Sequence, residues 1–295
     1  MTIAFADATL ARRVERGWAW TSGSSARVLA GARPELGAAC AECGGGMATF
    51  FGPGSPLSQA QGLGLAGPVE ADELDRLDAF FDTRGAGPAI EVATLADPGL
   101  LPALSARGYR VAETTHMLVR PVDHEPVPPH PDAPSSFPVL VTRVDPSDRA
   151  ARTAFSEAVM QGFFEGHEPP DGLADVLEAM TAAEGTTVWL ARFANAPETG
   201  SGTGSGPVPA GGASLLVHDG LALFAGDATL PDCRRRGVQS ALIQARLAEA
   251  ARLGCDLAVT CVQPGSDSQR NYERHAFRMA YARVLMVRDP PGSTA

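Results

Sequence analysis

The chain has 295 residues, 44% of them apolar and 20% charged, with a net charge of −10. That is the composition of a folded globular protein long enough for two cores. The negative balance argues against nucleic acid as the main partner, because a polyanion would be repelled overall. No apolar run approaches the ~20 residues needed to span a bilayer. The first residues lack a basic segment followed by a long apolar core, so no signal peptide is expected. A cytoplasmic protein without a membrane partner follows as the expectation, as a monomer or a homodimer. Five cysteines, Cys40, Cys43, Cys233, Cys255 and Cys261, form an odd set without framework spacing, so reduced thiols are expected. Cys40-x-x-Cys43 is half of a zinc set with no second pair, and no metal site is expected.

In chain order, apolar spacing predicts helices over 7–20 and 24–32, then strands at 47–51 and around 57–65, with Gly44-Gly45-Gly46 as a turn. The segment from Val69 to Phe81 places Leu74, Leu77, Phe80 and Phe81 at helical spacing and crowds acids into its first turn. A strand at 90–95, a short helix at 100–106 and a strand at 109–119 complete the first half. Residues 121–138 hold seven prolines and read as a stiff, exposed linker in which His124 and His130 are solvated. Beyond it come a strand at 139–144, helices at 147–164 and 171–183, and a strand at 187–193. Residues 195–206 are rich in Gly, Ser and Thr and read as a loop. Strands 213–218 and 221–230 turn at Asp219-Gly220, a strong hairpin signal. A helix running to about Leu253, a strand at 257–262, a helix at 266–275 and a strand at 281–287 close the chain.

The chemistry-bearing stretch is Pro231-Asp-Cys-Arg-Arg-Arg-Gly-Val-Gln-Ser-Ala241, between a strand and a helix. A helix N-terminus carries free N–H groups and a partial positive charge. Gly237 leaves the backbone open, and Arg234, Arg235 and Arg236 add formal charge beside it. Together they suit a compact anion such as a diphosphate. The patterns of a P-loop and of a dinucleotide fold are both absent.

This stretch resembles the coenzyme A loop Q/R-x-x-G-x-G/A of the GNAT N-acetyltransferases, with Arg234 first, Gly237 at the fixed glycine and Gln239 where a small residue is usual. Tyr272-Glu-Arg-His-Ala-Phe277 looks like the Tyr-Glu-x-x-Gly-Phe segment of the same family, with Ala276 replacing its glycine. The order β–α–α–β–β–β–α–β–α–β over about 139–288 also matches. The resemblance implies an α/β fold, a mixed and mainly antiparallel sheet flanked by helices. It further implies acetyl-CoA as co-substrate and an amine as acceptor, attacked directly without an acyl-enzyme. Tyr272 would be the general acid, since a phenol is a donor at neutral pH. The coenzyme would lie along Ala228, Thr229 and Leu230, with Gly226 allowing an irregular strand. Its diphosphate would sit over Arg234, Arg235, Arg236, Gly237, Val238, Gln239, Ser240 and Ala241, and Asn271 or Ser268 would reach its amides. The base stays open among Asp227, Glu157, Glu165, His167 and water. His218 and His275 read as structural or exposed. Arginine charge could lower the pKa of Cys233, but it sits at the diphosphate end, away from the acyl group. A non-catalytic acyl-CoA-binding module is the alternative.

Residues 107–120 align without gaps on 275–288, and both copies follow a helix, a Gly (Gly85, Gly254), a strand and a short helix. The repeat predicts two GNAT-like domains: 1–120 as a degenerate copy, 121–138 as linker and 139–290 as the catalytic domain. At the equivalent helix the first copy has Glu70, Asp72 and Glu73, which repel a diphosphate. It has Leu104 in place of Tyr272. The first copy is therefore expected to bind no coenzyme A.

Overall fold

The computed structural model describes residues 6–122, 138–194 and 208–290. The linker and the loop expected at 195–206, with His124 and His130, lie outside these, apart from the linker's ends. Seven helices surround one eleven-stranded sheet in the order β1-β2-β3-β4-β11-β5-β10-β9-β8-β7-β6. The first half supplies α1 (Ala8–Ala32), β1 (Ala39–Cys43), β2 (Gly46–Phe50), β3 (Gln59–Gln61), α2 (Ala71–Asp82), β4 (Ala89–Ala93), α3 (Leu100–Ala106) and β5 (Arg110–Pro121). The second half supplies β6 (Val139–Arg143), α4 (Arg149–Phe164), α5 (Leu173–Ala182), β7 (Thr186–Phe193), β8 (Gly211–His218) and β9 (Leu221–Thr229). It ends with α6 (Val238–Arg252), β10 (Leu257–Val262), α7 (Asp267–Arg274) and β11 (Arg278–Val287).

The expected repeat has a geometric counterpart. β5 and β11 are the two copies of the repeated segment, and they pair with each other, antiparallel, at the centre of the sheet. Thr115 and Arg283 hold the same place in the two copies and lie directly opposite one another. A local two-fold axis therefore passes between them. Each strand also joins the other half's sheet: β5 pairs with β10 and β11 pairs with β4. The halves are thus knitted by exchange of their last strands.

Helix α1 is continuous, where two shorter helices over 7–20 and 24–32 were expected. Packing overrides that local signal. A Cβ at Gly17 would come within 2.8 Å of Leu221, so this glycine lets the helix lie close to the sheet. Its Ala11 and Val14 bury against Leu216, Leu221, Leu223 and Val259, while Ala26 and Leu29 meet Leu173, Val176 and Ala179 of α5. Helix α1 thereby belongs to both halves. On the opposite face α6 and α7 cover Leu215, Ala222 and Phe224 with Ile243, Leu247 and Tyr272. The alternation of Leu215/Leu216 and of Ala222/Leu223 between these faces follows the strand period of two.

Strand β1 was missed, and β3 is shorter than the run expected at 57–65. The glycine turn was foreseen: Gly44 and Gly45 take positive φ between β1 and β2. On β1 the sulfurs of Cys40 and Cys43 project to opposite faces, being three residues apart. Burial pushes the Cys43 thiol up to about 11, away from the thiolate a metal requires.

Beside the central pair lies a buried charge cluster. Arg283 of β11, 2% exposed, pairs with Glu15 of α1 at 2.8 Å and Glu91 of β4 at 2.7 Å. Tyr281 donates to the same Glu15 at 2.6 Å. Burial opposes the Arg283 charge, but the two carboxylates outweigh it and raise its pKa further. Removing one member of a buried ion cluster strands its partners. Arg283→Met should therefore lower stability by about 3–5 kcal/mol, read from urea denaturation. Ala276 holds φ +61°, the left-handed state that Gly108 takes at φ +86° in the other copy. Because a side chain is strained there, Ala276→Gly should stabilise the protein by about 0.5–1 kcal/mol, read as a raised Tm.

Candidate functional site

Strands β9 and β10 run parallel and stay paired from Leu221/Leu257 to Phe224/Thr260. Beyond that point β9 continues to Thr229 without a partner on this side. Two features turn it away. Gly226 has φ +60°, and the β8–β9 register slips between Gly212 and Ser214. A bulge of this kind bends the strand that carries it. The strands part in a V, and Ala228, Thr229 and Leu230 lie along one arm. Ala228 packs toward α4, where Gly162 makes room: a Cβ there would stand 2.7 Å from the Ala228 Cβ.

At the end of that arm a turn of 3-10 helix, Pro231–Cys233, leads through Arg234 into α6. Arg235 takes φ +57° and Gly237 φ +81°, so the chain coils tightly before the helix. The Arg234 N–H bonds to the Pro231 carbonyl at 3.2 Å, and the Ala241 N–H to that of Gly237 at 3.0 Å. Between them, the N–H groups of Arg235, Gly237, Val238, Gln239 and Ser240 have no protein acceptor among the described residues. This ring of donors opens at the helix N-terminus with the exposed Arg235 beside it.

The neighbouring side chains are engaged in distinct ways. Arg234 forms an ion pair with Glu165, at the C-terminus of α4, and donates to the Gly162 carbonyl at 3.3 Å. The guanidinium holds the Glu165 carboxyl below its usual range. The Arg236 guanidinium lies 4.1 Å from the centre of the Phe193 ring. Gln239 bends toward α7, donating to Ser268 at 2.9 Å and accepting from Asn271 at 2.7 Å. The side chain that stands where a small residue is usual is thus held toward α7. Asn271 and Ser268 serve here to tie α7 to α6. For Cys233 the expectation is reversed: burial raises the thiol's pKa despite Arg236.

Tyr272, on α7, is 1% exposed and packs its ring edge-on against Phe224 and Phe277. Its hydroxyl donates to Asp227 at 2.5 Å and accepts from Arg246 at 3.2 Å. Burial is the main cause that holds the phenol protonated, well above its ordinary range; Arg246 opposes this and Asp227 adds to it. Of the base candidates, Asp227 joins this cluster, Glu165 pairs with Arg234, and His167 Nδ1 donates to the Phe164 carbonyl at 3.0 Å. Glu157 lies exposed on α4. His218 stacks on Trp20 with ring centres 4.0 Å apart, and His275 is buried. Arg246 went unnoticed in the sequence because an arginine within a helix-forming run reads as a solvated position.

In the first half the corresponding helix, α2, presents a different end. Glu73 accepts from the Gly44 N–H at 3.1 Å and from the Glu70 N–H at 3.3 Å, within a capping box. Carboxylates of the chain itself cap this helix end, whereas α6 has no side-chain cap. Leu104, the counterpart of Tyr272, is fully buried in the apolar core. Among the described residues, no group of three or more His, Cys, Asp or Glu side chains is placed to hold a metal, and no helix is long and apolar enough to cross a membrane.

No protein-family model and no curated protein matches the chain. Solved structures do resemble it. A GCN5-related N-acetyltransferase from Kribbella flavida is 18% identical and aligns over 91% of this chain and 96% of its own, with a TM-score of 0.57. A tandem GNAT protein from the clavulanic acid biosynthesis pathway is 12% identical over 99% and 98%, with a TM-score of 0.58. A putative acetyltransferase of the GNAT family from Novosphingobium aromaticivorans is 17% identical over 93% and 96%, with a TM-score of 0.51. With its parted parallel strands, the helix N-terminus beyond them and an exchanged second copy, the chain has the tandem GCN5-related N-acetyltransferase fold.

Proposed function

We propose that the second half, residues 139–290, is an acetyl-CoA-dependent N-acetyltransferase, and that the first half, residues 1–120, is a degenerate copy that binds no coenzyme. The observation that carries this reading is the set of N–H groups of Arg235, Gly237, Val238, Gln239 and Ser240 that have no acceptor among the described residues, at the mouth of the V between β9 and β10. Such donors match the oxygens of a diphosphate in number and sign. From there Leu230, Thr229 and Ala228 lead back toward Gly226. At about 3.3 Å per residue, this arm suits an extended pantetheine running to the bulge. The acyl thioester then meets a neutral amine, which attacks its carbonyl directly. Collapse of the tetrahedral intermediate expels a thiolate, and Tyr272 supplies its proton. The enzyme would work in the cytoplasm, with a small amine or a protein amine as acceptor.

A second reading, a non-catalytic acyl-CoA-binding module, draws on the burial of Tyr272. The two part on one variant. Tyr272→Phe should bind acetyl-CoA as the wild type does and lose about 100-fold in kcat; unchanged transfer would remove the proposed acid.

Calorimetry with acetyl-CoA should give one site per chain, since carboxylates cap the corresponding helix end in the first half. Arg236→Glu should weaken that binding about ten-fold or more, by placing a carboxylate beside the diphosphate. Glu165→Gln should tighten it by up to about five-fold, the range of an exposed ion pair, because Arg234 no longer has to leave a carboxylate.

A further inference from the structure

Arg246 is the largest fully buried side chain among the described residues, and all five of its N–H groups are used. Nε donates to the Leu242 carbonyl at 3.1 Å; Nη1 donates to the Ser214 carbonyl and to Asp227, each at 3.1 Å. Nη2 donates to the other Asp227 oxygen and to the Tyr272 hydroxyl at 3.2 Å. Its plane lies over the Phe224 ring, 4.3 Å from the centre. One guanidinium therefore joins α6 to β8 opposite the bulge, to β9 beyond the bulge, and to α7. A purely structural core would fill this place more cheaply with apolar groups, because burying an ion pair costs several kcal/mol per ion.

Within the cluster only one member reaches solvent. The Asp227 side chain is 11% exposed, against 0% for Arg246 and 1% for Tyr272. Asp227 stands one residue past Gly226, on the unpaired arm of the V. Solvent therefore reaches this cluster through the carboxylate, which is in direct hydrogen bond with the phenol.

We propose that Asp227 and Tyr272 work as one proton-transfer unit, with Arg246 as the positioning residue that holds them together. The inference rests on the acetyltransferase reading given above. The attacking nitrogen forms its bond to the acyl carbon and gives its proton to the Asp227 carboxylate, directly or through one water. The carbon–sulfur bond breaks, and the sulfur takes the hydroxyl proton of Tyr272. The phenolate so formed faces Arg246 and recovers a proton from Asp227 across the 2.5 Å hydrogen bond. Protons balance: one leaves the amine, one arrives on sulfur, and both side chains return to their starting states. The missing base and the acid are then two ends of a single path.

The test follows free thiol released from acetyl-CoA, with water or each member of an amine panel as nucleophile, alongside calorimetry with coenzyme A. Wild type, Asp227→Asn, Tyr272→Phe and the double variant are compared. Each single variant should lose about 100-fold in kcat with the KM for acetyl-CoA unchanged. The double should lose no more than about three-fold beyond the worse single, since members of a unit are not additive. Arg246→Lys should keep coenzyme binding and lose kcat, because an ammonium cannot span both Asp227 oxygens and Tyr272. Should Asp227→Asn fail to fold, Asp227→Glu keeps the charge, displaces the carboxylate and should lose kcat in the same way. Losses that multiply in the double variant, or a kcat within three-fold of wild type for the folded Asp227 variant, overturn the relay and leave the acetyltransferase reading standing. A wild type that does not bind coenzyme A, or binds it and releases no thiol, sinks both.

Discussion

Thr115 and Arg283 face one another across the local two-fold axis, and the sheet is organised outward from that pair. Neither half completes its sheet with its own strands. β5 is the neighbour that β10 requires, and β11 is the neighbour that β4 requires. The exchange places β10 in the interior of an eleven-stranded sheet, which fixes it while β9 bends away. The V needs one arm that holds still. Arg283 reinforces the crossing by inserting a buried cation between carboxylates of α1 and β4, so charge as well as backbone pairing locks the halves in register.

The two helix ends that follow the parallel strand pairs show how one architecture takes two chemistries. In the second half Gly237 and the coiled Arg235 leave the backbone donors pointing to solvent. In the first half Glu70 and Glu73 cap each other's N–H groups from within the chain. Capping stabilises a helix by satisfying these same groups, so a helix end that binds a ligand forgoes that stabilisation until the ligand arrives. Glu165, drawn to Arg234, is a loose counterpart of Glu73: a carboxylate near the same kind of helix end, but on a neighbouring element and half exposed.

Most elements were legible in the sequence because their signals are local. The Asp219-Gly220 hairpin, the span of β10 and the order of elements in the second half all follow from periodicity and turn chemistry. The internal repeat was also legible, down to the equivalence of Leu104 and Tyr272. What stayed hidden was non-local. Alignment of 107–120 on 275–288 reveals two similar strands but not that they pair with each other. The gap expected inside α1 misled because the packing that keeps the helix continuous, against the sheet and α5, involves residues elsewhere in the chain. Arg246 was invisible for the same reason: its partners sit on β8, β9 and α7, and only folding brings them together. At the loop, residue types indicated an anion site, but not that Gln239 would turn aside toward α7.

Strand exchange also orders events at the ribosome. When β5 has been synthesised, its two future neighbours, β10 and β11, lie more than a hundred residues downstream. The nascent first half therefore carries a twelve-residue strand with both edges unpaired, a template that other chains can join. Its native pairing on both edges is complete only once β10 and β11, near the end of the chain order, have been made.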